Sequence, residues 1–151
     1  MNNSTQNELK KILCSACLLG YNCRYDGKSK PDKKVMALAS EKVLIPVCPE
    51  QLGGLPIPRV PSEIQGQRVI SKEGDDLTAQ FEHGAGEVLK LAEIMGCKMA
   101  ILKQRSPSCG NGLIYDGTFS GTVISGDGIT ARLLKQNEIS VITDEDLWDN
   151  K

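Results

Sequence analysis

Short apolar runs recur along the chain, each bounded by polar or turn-forming residues. The four runs lie at 10–17, 41–50, 98–103 and 138–143, and the second is rich in β-branched side chains. Runs of this length between turn-forming residues are typical of buried strands. The pattern therefore predicts four strands in the interior of the protein.

The segments between these runs predict helices. Segments 31–42 and 78–97 place apolar residues on one helical face, and segment 127–137 is expected to form a third helix. In the second of them, Thr78 is the expected N-cap and Gly96 the expected end of the helix. Alternation of strands and helices predicts an α/β fold, with a mainly parallel sheet flanked by helices in a Rossmann-like three-layer arrangement.

Two glycine-containing segments give weaker signals. Segment 51–67 is rich in glycine and proline, so we expect an ordered but irregular loop. Segment 120–128 carries glycines before a helix, but it lacks the strand and the spacing of a phosphate-binding loop, so we assign it no such role. We expect a single domain over 11–151, and a disordered or frayed polar tail over 1–10.

Charge and composition limit the classes of partner. The 151 residues carry 18 basic and 19 acidic side chains, a formal net charge of −1. This balance gives no footprint for long nucleic acid or for an anionic membrane. The polar N-terminus lacks the apolar core of a signal peptide. We therefore expect a cytoplasmic protein with small-molecule partners; the sequence predicts no oligomeric state.

The six cysteines divide according to their position relative to the strands. Cys17, Cys48 and Cys109 each lie at or just after the end of a different strand, and ligands of parallel α/β sheets bind at that edge. Cys97 lies at the opposite end of a strand, and Cys14 lies within a strand, so packing is the expectation for both. Cys23 follows Cys17 closely enough to reach the same edge, and its role stays open.

Clustered thiolates are soft ligands that select zinc, copper(I) or iron–sulfur clusters. Three spaced cysteines suit a metal centre with one position free for a substrate. Spacing alone leaves such a centre and ordinary buried thiols as equal alternatives.

Four longer motifs identify a resemblance. These are SACLLGYNCRYDGKSK at 15–30, IPVCPEQLGGLPIPRVPSEI at 45–64, DLTAQFEHGA at 76–85 and AILKQRSPSCG at 100–110. Together they resemble the thiouracil desulfidase family over about residues 11–147. The resemblance implies a small α/β domain with an oxygen-sensitive [4Fe-4S] cluster, held by the cysteines that match Cys17, Cys48 and Cys109. It also implies removal of sulfur from a thiolated pyrimidine, either thiouracil or a thiouridine nucleotide.

The implied chemistry suggests further site residues. A soft thiocarbonyl sulfur would be captured at the open iron, which would act as a Lewis acid while water attacks the carbon. Glu50 is the candidate base, with loop capping as its alternative. Ser106 and Ser108 are candidates for orienting the pyrimidine, with loop-shaping hydrogen bonds as theirs. Arg59 is expected either in a buried ion pair or at the substrate.

Two other classes of protein are alternatives. The first is a non-catalytic module that binds zinc or a cluster and carries sulfur. The second is a thiol redox protein that uses Cys14 and Cys17, although an active C-x-x-C pair should open a helix at the end of a strand.

Overall fold

A computed structural model describes residues 9–149, so most of the predicted tail lies outside the described residues. The main elements are β1 Lys11–Ser15, α1 Lys33–Ala37, β2 Val43–Val47, α2 Pro49–Leu52, β3 Ser62–Gln65, β4 Arg68–Ser71, α3 Thr78–Met95, β5 Met99–Leu102, β6 Asn111–Tyr115, β7 Val123–Asp127, α4 Ile129–Gln136, β8 Ser140–Thr143 and α5 Asp144–Asp149. Short 3₁₀ turns span Ala16–Leu19 and Leu38–Ser40.

The four predicted strands form one parallel sheet in the order β2-β1-β5-β8. Apolar side chains of α3 and α4, including Val88 and Leu134, pack with Leu13 and Leu102 on one face. Residues that include Val35 of α1 pack with Ile12 and Ile101 on the other face. The predicted α/β class and three-layer arrangement are therefore confirmed.

The strand order creates a crevice at one point of the sheet. The chain runs from β1 outward to β2 and then crosses to β5 on the other side of β1. Such a reversal leaves an opening between the carboxyl ends of the two inner strands, where ligands of open α/β sheets bind. The loops that carry Cys17 and Cys109 follow these two strands.

Two antiparallel hairpins were not predicted. The expected irregular loop 51–67 contains the end of α2 and strand β3, which pairs with β4. Segment 120–128, in which no strand was predicted, contains β7, which pairs antiparallel with β6. Both hairpins lie outside the parallel sheet, and their strands lack the long apolar runs that identify buried strands.

The start of α3 also differs from the prediction, whereas its end agrees with it. Leu77 is the N-cap, and Thr78 is the first helical residue, with its hydroxyl accepting the Val69 N–H at 2.9 Å. Gly96 ends the helix in the left-handed conformation, with φ 74°. Within residues 9–149, no helix is both long and apolar enough to cross a membrane.

Helices α2 and α3 approach each other backbone to backbone. A Cβ at Gly53 would collide with the carbonyl of Gln80, and one at Gly84 would collide with the carbonyl of Pro49. This close contact fixes α2, whose N-cap is Cys48 and whose first turn contains Glu50.

We predict that Gly84→Ala lowers the free energy of unfolding by about 1–3 kcal/mol, because the two backbones must separate. Gly86→Ala in the same helix is the matched control, since a Cβ there meets nothing within 4 Å. Alanine is the better helix former, so this control should stabilise by roughly 0.5–1 kcal/mol. Chemical denaturation measures both changes, and equal effects would contradict the contact.

Candidate active site

Three strand-end segments deliver thiols to one cavity of about 410 Å³. Cys17 lies in the 3₁₀ turn after β1, Cys48 is the N-cap of α2 after β2, and Cys109 lies in the loop after β5. All three line the cavity, although they are far apart in sequence. The three cysteines that were selected by their positions at the ends of strands therefore lie together in the structure.

Cys23 is a fourth thiol in the same cavity. Its carbonyl accepts a hydrogen bond from the Cys48 thiol at 3.7 Å, and its own thiol interacts with those of Cys17 and Cys48. The sequence left its role open, and only its short distance from Cys17 along the chain indicated this location.

Crowding and burial act on the acidity of these thiols. The hydrogen bond with Cys17 is the largest cause that raises the pKa of Cys23, to about 11. The hydrogen bond with Cys23 and then burial raise the pKa of Cys48. Burial raises the pKa of Cys109 to about 12, against the opposing hydrogen bond that the Ser15 hydroxyl donates to its sulfur. Cys23, Cys48 and Cys109 therefore favour the protonated form near neutral pH, and metal binding would release protons from such thiols. The set of buried sulfur donors fits a soft metal centre.

Cys14 and Cys97 do not line the cavity and agree with the packing expectation. Cys14 is fully buried in β1, and burial raises its pKa to about 12. Cys97 is 3% exposed and lies just before β5. A thiol as inert as Cys14 is a poor redox nucleophile, which disfavours the Cys14–Cys17 redox alternative.

Glu50 lies in the cavity between two partners. One carboxylate oxygen, Oε1, accepts a hydrogen bond from Arg59 Nε at 2.7 Å. The other, Oε2, accepts one from the Ser108 hydroxyl at 3.2 Å. Arg59 also donates to the carbonyls of Cys23 and Pro56, at 2.9 and 3.1 Å. Arg59 is therefore found in the buried ion pair that was one of its two expected roles, and it joins Glu50 to the Cys23 loop.

Ser106 shapes the loop that presents Cys109. Its oxygen accepts the N–H groups of Ser108 and Cys109 at 3.0 and 3.1 Å. The first amides of α4 in turn donate to carbonyls of this loop, with Ile129 bonding to Pro107 at 2.8 Å. The loop thereby satisfies backbone groups that a helix start leaves unpaired. Ser106 and Ser108 thus make hydrogen bonds that shape the loop, which was the alternative to a role in orienting the pyrimidine. Both residues also line the cavity.

The residues that bind the start of this loop through hydrogen bonds and an ion pair were not predicted from the sequence. Gln104 is 5% exposed, and its side-chain oxygen accepts the amides of Arg105 and Asn111 at 3.2 and 2.8 Å. Asp144 accepts the Gln104 N–H at 2.7 Å, and Glu145 binds the Arg105 guanidinium at 2.8 and 3.1 Å. Both acidic residues begin α5, which the apolar pattern did not predict. A run of three acidic residues after a strand was the available signal, because such residues favour a helix N-terminus.

The second hairpin forms another unpredicted wall. Tyr115 and Phe119 of the β6–β7 hairpin line the cavity. Glu63 of β3 also lines it, and its carboxylate accepts the amides of Gly117 and Phe119 at 2.9 and 3.1 Å. His83, the single histidine, is exposed on α3 and takes no part in the site.

The fold and the site define a class of protein. It is a parallel α/β domain with a thiol-lined cavity in the crevice between its two inner strands. The family model described as 2-thiouracil desulfurase matches residues 12–146, and the chain belongs to this family. The resemblance inferred from the four motifs is thus confirmed, and the chain belongs to a family of enzymes.

Two other proteins are similar to this chain over most of its length. The uncharacterized protein YbbK of Bacillus subtilis (strain 168) is 42% identical over 148 residues, covering 91% of this chain and 98% of its own. A solved structure described as a [4Fe-4S]-dependent thiouracil desulfidase, TudS, is 44% identical. It has a TM-score of 0.87 and covers 93% of this chain and 94% of its own.

Proposed function

We propose that this enzyme is an iron–sulfur-dependent desulfidase that removes sulfur from a thiolated pyrimidine by hydrolysis. The observation that carries the proposal is the convergence of Cys17, Cys48 and Cys109 on one cavity that Glu50 and Ser108 also line. The similarity to a desulfidase whose description names a [4Fe-4S] cluster supports it.

A [4Fe-4S] cluster held by Cys17, Cys48 and Cys109 is the proposed cofactor. Thiolates are the usual protein ligands of such clusters, and three of them leave one iron open to a substrate. Zinc binds thiolates at about 2.3 Å, so a single ion needs its ligands gathered tightly around one point. Within residues 9–149, no three His, Cys, Asp or Glu side chains are arranged to hold a single metal ion. The three cysteine thiolates are therefore our argument for a cluster and against a single zinc ion. Iron analysis of the purified protein tests this choice.

When bound, the cluster would supply a soft Lewis acid for the thiocarbonyl sulfur. The protein would do the remaining work on water and protons. Water attacks the carbon, its oxygen replaces sulfur there, and hydrosulfide leaves, so no external reductant is needed. The water must lose its protons, and Glu50 is the base that we propose.

The contacts of Glu50 support this role. Arg59 holds Oε1, and the Ser108 hydroxyl points at Oε2. A carboxylate offers about four lone-pair positions, so Oε2 can still accept a proton from water. Ser108 can also relay the proton, by donating its own to Oε2 as it accepts one from water.

Ser106 is proposed to bind the pyrimidine. Its oxygen already accepts two backbone amides. The hydroxyl proton is not used in those bonds, because a serine has one donor and two acceptor positions. It is thus free to bond a pyrimidine carbonyl.

The test uses protein purified without oxygen and loaded with iron and sulfide. We expect the loaded enzyme to convert many equivalents of 2-thiouracil or of a thiouridine nucleotide, with one sulfide released for each oxygenated base formed. Loaded protein that keeps its sulfur and forms no oxygenated base from either compound would instead identify a sulfur carrier.

A further inference from the structure

Ser15 places a hydroxyl against the sulfur of Cys109. It is the last residue of β1 and is 3% exposed. Its Oγ donates to Cys109 Sγ at 3.4 Å and accepts the N–H of Lys103 at 2.9 Å. Ser15 lies in an apolar run next to Cys14, so its position in the sequence alone indicates no role.

The local strand geometry explains why this hydroxyl has a fixed direction. Pairing of β1 with β5 ends at Cys14 opposite Ile101, where the crevice of the sheet begins. Just beyond that point, the Lys103 N–H bonds to the Ser15 side chain. This bond occupies one acceptor position and anchors the oxygen, so the single hydroxyl proton is directed at the sulfur of Cys109.

We propose that Ser15 is a positioning residue that tunes the electronic state of the cofactor through Cys109. The inference rests on the proposed function, because it requires a cluster bound to that sulfur. A hydrogen bond to a ligand sulfur withdraws electron density from it, and such bonds help to set the reduction potential of iron–sulfur clusters. The partner of a ligand also fixes its orientation. Ser106 differs from Ser15 because its oxygen accepts the backbone N–H of Cys109.

The test measures the midpoint potential of the cluster by an anaerobic redox titration followed by electron paramagnetic resonance. Ser15→Ala should shift the potential to more negative values, and turnover per cluster should fall about 10- to 100-fold. Iron content should stay at that of the unmodified protein, since no ligand is lost. Ser15→Thr retains the hydroxyl and should restore a potential close to the original.

Ser71→Ala is the matched control. Ser71 is also 3% exposed, and its hydroxyl accepts the amides of Glu73 and Asp75 at 3.2 and 3.0 Å, but it does not line the cavity. This variant therefore loses a buried acceptor without touching the cofactor site, and its potential and turnover per cluster should not change.

An unchanged potential in Ser15→Ala would overturn the inference, as would an equal shift in Ser71→Ala. Failure of Ser15→Ala to hold the cluster would overturn it too, because Ser15 would then be needed for assembly and not for tuning. In these cases the unmodified protein still binds the cluster and releases sulfide, so the proposed function stands. Unmodified protein that takes up no cluster would instead refute the proposed cofactor and the inference together.

Discussion

Replacing any one of Cys17, Cys48 and Cys109 with serine should reduce cluster iron to below about a tenth of that in the unmodified enzyme, because serine is a hard and poorly ionised ligand that replaces a soft thiolate. Two remaining cysteines should not retain the cluster. Iron and sulfide are measured after anaerobic reconstitution, together with the brown absorbance of the protein. Circular dichroism of each apo-variant checks that the fold is kept.

Two other cysteines provide the controls. Cys97→Ser removes a buried thiol outside the cavity and should keep the full iron content. Cys23→Ser is the sharper comparison, because Cys23 lines the same cavity and its thiol interacts with those of Cys17 and Cys48. If Cys23→Ser loses the cluster while Cys48→Ser keeps it, the ligand set is Cys17, Cys23 and Cys109 instead.

The main sheet could be predicted because its inner strands, β1 and β5, are buried on both faces. A strand covered by helices on two sides must be apolar throughout, and such runs are visible in a single sequence. The end of α3 at Gly96 could also be predicted, because a glycine after an amphipathic helix commonly marks the end of the helix. The order of the strands was not predicted, since neither apolar runs nor helical spacing states which strands pair.

The β6–β7 hairpin had no comparable signal. Strand β6 contains Asn111 and Gly112, and β7 ends in Gly126 and Asp127. These residue types are typical of turns. Their pairing is favoured by tertiary contacts. For example, the Glu63 carboxylate accepts hydrogen bonds from two backbone amides of the turn between these strands. Such contacts join segments more than fifty residues apart and are not visible as a local pattern.

The location of the cysteines could be predicted from the topology of a parallel sheet. The polar residues that bond to them and to their loops could not. Parallel strands deliver their carboxyl ends to one edge, so a cysteine just after a strand can be located without knowing the strand order. Ser15 and Gln104 act through hydrogen bonds across strand ends, which depend on side-chain direction and on distance. A buried ion pair was one of two equal expectations for Arg59, and Glu50 was not predicted as its partner, because charge alone does not state which carboxylate a guanidinium meets.

Replacing Glu50 with glutamine should keep the cluster but remove most turnover. Glutamine has nearly the same shape, and its amide oxygen can still accept from Arg59 while its NH₂ group faces Ser108. It cannot take a proton from water. General bases typically contribute about 10²–10⁴-fold, so sulfide release per bound cluster should fall by at least about 100-fold. Binding of the thiolated pyrimidine should stay within a few-fold, as expected when an interaction is made in the transition state.

Stability must be measured alongside, since Glu50→Gln leaves the largely buried Arg59 charge without its carboxylate. Glu63→Gln is the matched control: Glu63 also lines the cavity, and a glutamine oxygen can accept the same two backbone amides. Its sulfide release per cluster should stay close to that of the unmodified enzyme. If Glu50 only holds its loop through Arg59, Glu50→Gln should lower the unfolding free energy and cluster occupancy while each remaining cluster works at the original rate. That outcome would remove Glu50 from the proton transfer and leave Ser108, without a carboxylate behind it, as a poor candidate for the same step.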